Sequence, residues 1–150
     1  MRPAEASGMP AAGLSRRALS LIYEALLVTA VVLAGSLPFV MLAPGASPAA
    51  RPLFQLYLAL LIGAYFTWQW RRGGHTLAMK TWRLKLVTRA GTPLTWDHAV
   101  KRYVYALAGT LALGAGFLWA LVDREGLFLH DRLAGTRIID ERGTMNAERS

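Results

Sequence analysis

The chain contains no cysteine, which removes disulfides, thiolate metal sites and cysteine nucleophiles from consideration. Acidic residues are scarce as well. Nine Asp and Glu stand against 17 Lys and Arg in 150 residues, a formal net charge of +8. A soluble chain this basic points to nucleic acid. A chain whose apolar residues come in long blocks points instead to a membrane, with its basic loops held on the cytoplasmic face. Hydrophobic residues make up 54% of the sequence, above the about 45–50% of soluble domains, and they are gathered in blocks. The blocks decide for a membrane, and no nucleic-acid partner is expected.

Catalytic patterns are also missing. There is no GxSxG nucleophile elbow, and Gly74, Thr76 and Lys80 do not have the GxxxxGK[ST] spacing of a phosphate loop. His130-Asp131 has no third ligand at useful spacing. We therefore expect no enzyme, no metal and no cofactor.

Three apolar blocks are present, over about residues 19–42, 53–70 and 103–122. Each approaches the ~20 residues that cross a ~30 Å hydrocarbon core. The first is too long for a signal-peptide core, and two more follow. Prolines and a glycine break the chain at 43–52. Tyr65, Trp68 and Trp70 gather just before Arg71 and Arg72, an aromatic–basic edge suited to a membrane surface. The expected fold class is all-α, with about three transmembrane helices and a basic loop at 71–102. A disordered tail is expected at 1–14, the membrane domain at 15–140 and a C-terminal tail at 141–150. Helical spans suit a bacterial inner or plasma membrane rather than an outer-membrane barrel.

Lys and Arg number three before the first block, one between the first and second, eight between the second and third, and five after. The positive-inside rule puts the N-terminus and the 71–102 loop in the cytoplasm. A simple crossing by the third block leaves the C-terminus outside, whereas a re-entrant bend at Gly114–Gly116 returns it. In the loop, Arg71, Arg72, Lys80, Arg83 and Lys85 read as a collar for anionic lipid headgroups or a docking surface for a partner. Residues 81–88 alternate apolar and basic, as a strand or a segment lying flat on the bilayer does. Thr95 or Asp97 opens the following helix. Asp131 reads as a helix N-cap or an ion-pair partner, and Thr136–Ile139 as a short strand.

Glu24, inside the first block, needs an explanation, because a charged carboxylate at the bilayer centre costs about 2.5–3.5 kcal/mol on insertion scales. Arg17 lies seven residues earlier, on the same helix face. Three readings stand: Glu24 pairs or snorkels near the cytoplasmic interface, it lines an ion or proton path, or it is protonated. Arg16, Lys101 and Arg102 are the candidate counter-charges.

Three stretches together resemble the RDD family of small integral membrane proteins, named for one arginine and two aspartates. They are SRRALSLIYEALL, GGHTLAMKTWRLKLV and the closing GAGFLWALVDREGLFLHDRLAGTRII. The resemblance implies that Arg17 or Arg16 is the arginine, Glu24 the first acid and Asp131 the second. Two residues depart from the pattern: Glu24 replaces Asp, and Ala78 replaces a glycine. An alanine there would be strained if that glycine serves a positive φ. The family is suspected of transport. The expected function is transport of an ion or small solute by a homo-oligomer through Arg17, Glu24 and Asp131. The alternative is a non-transporting assembly subunit that docks a membrane-protein partner or anionic lipid through the basic loop.

Overall fold

The computed structural model describes residues 12–42, 47–112, 114–124 and 126–142. Most of the expected N-terminal tail (1–11) and of the C-terminal tail (143–150) lies outside them. Helix α1 spans Leu14–Leu42 and a single 3-10 turn follows at Pro48–Ala50. Helix α2 spans Arg51–Gly73, with its early proline where a missing N–H costs nothing. Both are long and apolar enough to cross a membrane. Large apolar side chains along them, Leu26, Leu33, Leu37, Leu56 and Leu60 among them, face outward. In water that surface is unfavourable, whereas in lipid it is not, because hydrocarbon is as apolar as leucine.

Helix α2 stops at Gly74, which takes the left-handed conformation at φ 69°. A side chain there would meet the Leu86 carbonyl at 2.9 Å, so the position suits glycine alone. Thr76 then caps a short helix α3, Leu77–Thr81, its hydroxyl accepting from the Met79 N–H at 3.2 Å. Ala78 sits inside α3, fully buried, and the one non-glycine residue with positive φ among those described is Arg83. The strain considered for Ala78 is therefore absent.

The alternating segment of the loop is a strand. β1, Leu84–Thr88, pairs antiparallel with β2, Thr136–Asp140, from Leu84 opposite Asp140 to Thr88 opposite Thr136. The fold is mostly helical, consistent with an all-α membrane protein, and among the described residues it carries one two-stranded sheet. The Ala12 N–H adds to the far edge of β2, donating to the Ile138 carbonyl at 3.0 Å. The approach to α1, the basic loop and the C-terminal strand therefore meet at one end of the molecule. Trp70, Met79, Leu84, Leu86, Leu94 and Ile138 form the packed core there.

The third block is not one straight helix. α4 spans Trp96–Leu111, beginning well before the apolar run, with Thr95 at its N-cap. After Gly114, at φ 76°, comes α5, Ala115–Leu118, continued by a 3-10 turn through Leu121, and the chain turns by 106° between the two halves. Gly109 and Gly116 bring the two backbones together: a Cβ on Gly109 would stand 3.2 Å from the Gly116 Cα. These small residues close a bend within one chain. Helix α6, Leu129–Ala134, packs against α4 and ends at left-handed Gly135, from which β2 starts.

Candidate functional site

Polar side chains collect behind the sheet, where the first turns of α1, the end of α2, and α4 and α6 converge. Arg17, Ser20 and Glu24 are the buried residues of α1, one face sampled at spacings of three and four. Their exposures are 2%, 4% and 7%. Arg102 from α4, His130 and Asp131 from α6, Thr76 and Thr136 are buried beside them. The spacing that placed Arg17 and Glu24 on one face holds, but the two do not pair.

Glu24 is held by hydroxyls. Tyr65 donates to Oε1 at 3.1 Å, and Thr76 donates to Oε2. It has no ion-pair partner among the described residues. Thr76 thus caps α3 with a lone pair and holds the carboxylate with its proton, which ties the loop to α1.

Arg17 turns away from Glu24. Its Nη1 donates to the Gly126 carbonyl at 2.5 Å, and its guanidinium carbon lies 4.2 Å from the centre of the Phe128 ring. Arg102 forms an ion pair with Asp131 and donates to the Thr136 hydroxyl at 3.1 Å, with Trp70 beneath it at 4.9 Å. Asp131 is therefore an ion-pair partner and not the N-cap of α6; Phe128 holds that position. His130 packs against the rings of Phe117 and Phe128, at 5.3 and 5.4 Å, and those two rings pack on each other at 5.4 Å. Burial first, then the charges of Arg102 and Arg17, push its imidazole well below the usual histidine range, so it is neutral.

The other candidate cations lie elsewhere. Arg16 pairs with Asp140 of β2, and Lys101 pairs with Asp97 one turn back on the exposed face of α4, at 2.9 Å. Arg71, Arg72, Lys80 and Arg83 are exposed at the loop end, Arg72 resting 5.1 Å from the Trp68 ring. Lys85 reaches Glu141 at 3.8 Å.

A cavity of about 560 Å3 opens between α1, α2 and α4, with Arg17, Glu24, Thr76, Arg102 and His130 on its polar end. Its other walls are almost entirely apolar. The arrangement unites the arginine and both acids at one end of the molecule, with one carboxylate free of cations and the other locked to Arg102.

The RDD family model matches residues 11–135. The chain belongs to the RDD family. No curated protein and no solved structure gives a significant match. Family membership and the apolar helices make the chain a small membrane protein with two to three candidate spans. Of the residues singled out in the sequence, Arg16 lies apart on Asp140, while Arg17, Glu24 and Asp131 are brought to one cluster without bonding one another. Arg102, Thr76, Tyr65 and Thr136 complete it. Of these, Thr76 lies within the loop segment that carries the resemblance, and Tyr65 stands with Trp68 and Trp70 in the aromatic–basic edge. The partnership of Arg102 with Asp131 had no local signal.

Proposed function

We propose that this RDD protein carries a small cation or a proton across the bacterial inner membrane as a homo-oligomer, with Glu24 as the group that takes it on. The observation behind this reading is the setting of the carboxylate. It lines a cavity, accepts from two neutral hydroxyls and has no ion-pair partner among the described residues. Two guanidiniums line the same cavity, and neither bonds to Glu24: Arg17 Nη1 goes to the Gly126 carbonyl and Arg102 Nη1 to Asp131. A carboxylate kept for structure alone gains more from such a partner than from hydroxyls.

Depth agrees with the role. The 29 residues of α1 measure about 43 Å, some 13 Å more than a ~30 Å core. Glu24 is ten residues, about 15 Å, from Leu14. If the excess lies at the basic end, Glu24 stands at the hydrocarbon boundary, where an ion from the cytoplasm reaches it. The N-terminus, the basic loop and β2 are then all cytoplasmic and the third block is re-entrant, a topology supported by the β1–β2 pairing and the 106° turn. Irregular backbone at Gly114 is tolerable there because α5 packs back on α4. One chain offers too few helices to enclose a path, hence the oligomer. No bond-making chemistry is assigned to it.

A second reading is a non-transporting assembly subunit. The exposed cations Arg71, Arg72, Lys80 and Arg83, which form no ion pair among the described residues, favour it, because they are available to lipid phosphates or an acidic partner.

The test is flux into proteoliposomes, followed with a pH-reporting dye under sodium, potassium and proton gradients. Transport by wild type, and its loss in Glu24→Gln at unchanged abundance and oligomeric size, supports the carrier. Flux retained by Glu24→Gln overturns it. Loss of assembly on removing the four loop cations, without any wild-type flux, favours the subunit.

A further inference from the structure

The cluster leaves one strong donor set unused. Arg17 spends Nη1 on the Gly126 carbonyl, while its Nε and Nη2 are buried with no partner. Those two nitrogens form one edge of the guanidinium, the fork that grips a carboxylate or phosphate with two parallel hydrogen bonds. Arg102 Nε and His130 Nδ1 are also buried and unpartnered. Among the described residues, no acid of the chain fills the fork. Glu24 is taken by Tyr65 and Thr76, and Asp131 by Arg102. Asp123 accepts from Arg132 and from the Leu127 N–H.

Away from this end the walls are mostly apolar, with Gln55 and Thr110 as polar exceptions. Leu21 and Val28 of α1, Leu58 and Ile62 of α2, and Ala106 of α4 line it. Its volume of about 560 Å3 falls in the ~300–1,000 Å3 range of small-molecule sites. A free inorganic anion leaves most of that space to water against leucine and isoleucine. A neutral apolar molecule leaves the fork unpaired.

We infer that the cavity binds an anionic amphiphile, a molecule with a carboxylate or phosphate head on the Nε–Nη2 edge of Arg17 and an apolar chain lying between α1, α2 and α4. Arg102 is the second cation facing the head. This binding goes beyond the carrier reading and stands whether or not Glu24 moves a cation.

The test uses the full chain in phosphatidylcholine nanodiscs, with cis-parinaric acid as fluorescent probe and empty discs as the blank. The expected result is saturable binding above the blank, displaced by laurate and by dodecyl phosphate but not by dodecanol or inorganic phosphate. Arg17→Gln weakens it by about tenfold or more, the worth of a bidentate charged contact, and Arg17→Lys, which keeps the charge without the fork, weakens it less. Ala25→Phe, which fills the apolar part and leaves Arg17 in place, weakens it as well and covers the case in which Arg17→Gln does not fold. Displacement by phosphatidic acid placed in the disc assigns the occupant to the bilayer, whereas displacement by laurate alone assigns it to a single-chain anion. Binding no greater than the blank overturns the inference. So does equal competition by inorganic phosphate, or binding unchanged in both Arg17→Gln and Ala25→Phe.

Discussion

Arg102 and Asp131 form an ion pair with neither side chain open to solvent, 4% and 0% exposed, and it fastens α4 to α6. Removing one member leaves the other charged and buried. Asp131→Ala alone is expected to cost about 3–5 kcal/mol, read as a fall in thermal midpoint in detergent. The double variant Arg102→Leu/Asp131→Leu is expected to cost less than either single change, because no orphaned charge remains. A double variant as unstable as the sum of the singles contradicts this account of the pair.

Thr76 and Tyr65 make separate bonds to Glu24, and only Thr76 also caps α3. Tyr65→Phe is expected to cost about 1 kcal/mol, one hydrogen bond. Thr76→Val is expected to cost more, by the ~0.5–2 kcal/mol of a lost cap, and Thr76→Ser to restore most of it. Chemical denaturation of the three variants in one detergent ranks them.

His130 makes the fold acid-sensitive. Its imidazole is lowered by burial and by Arg102 and Arg17, so the neutral form is the folded one. A depressed histidine gives stability that is fully present above the unfolded value of about 6.5 and is lost as pH falls below it. Thermal midpoints are therefore expected to drop below pH ~6.5, and His130→Phe, which keeps a ring against Phe117 and Phe128, flattens that drop.

What was legible in the sequence was local. The seven-residue spacing of Arg17 and Glu24 puts them on one face, and the alternation in 81–88 admits a strand as one of its two readings. What was hidden depends on residues far apart in the chain. β1 finds its partner some fifty residues later, and neither strand carries a mark of the other. Lys101 and Arg102 are adjacent cations, and only the packing of α6 decides that Arg102 turns inward while Lys101 stays with Asp97. Glu24 invites a search for a cation, whereas its partners are two hydroxyls that look like an interfacial aromatic and a loop residue.

In the proposed topology Arg17, Glu24, Asp131 and the basic loop share one side of the membrane. A chain without cysteine allows a clean test. Single cysteines at Ser15, Ser47, Ala90 and Arg142 are labelled in intact cells with an impermeant thiol reagent. Labelling at Ser47 alone, with the other three reached only after lysis, is the expected result: it makes the third block re-entrant and the charged cluster cytoplasmic. Labelling of Arg142 together with Ser47 in intact cells means a third full crossing, which separates β1 from β2 and contradicts the shared site.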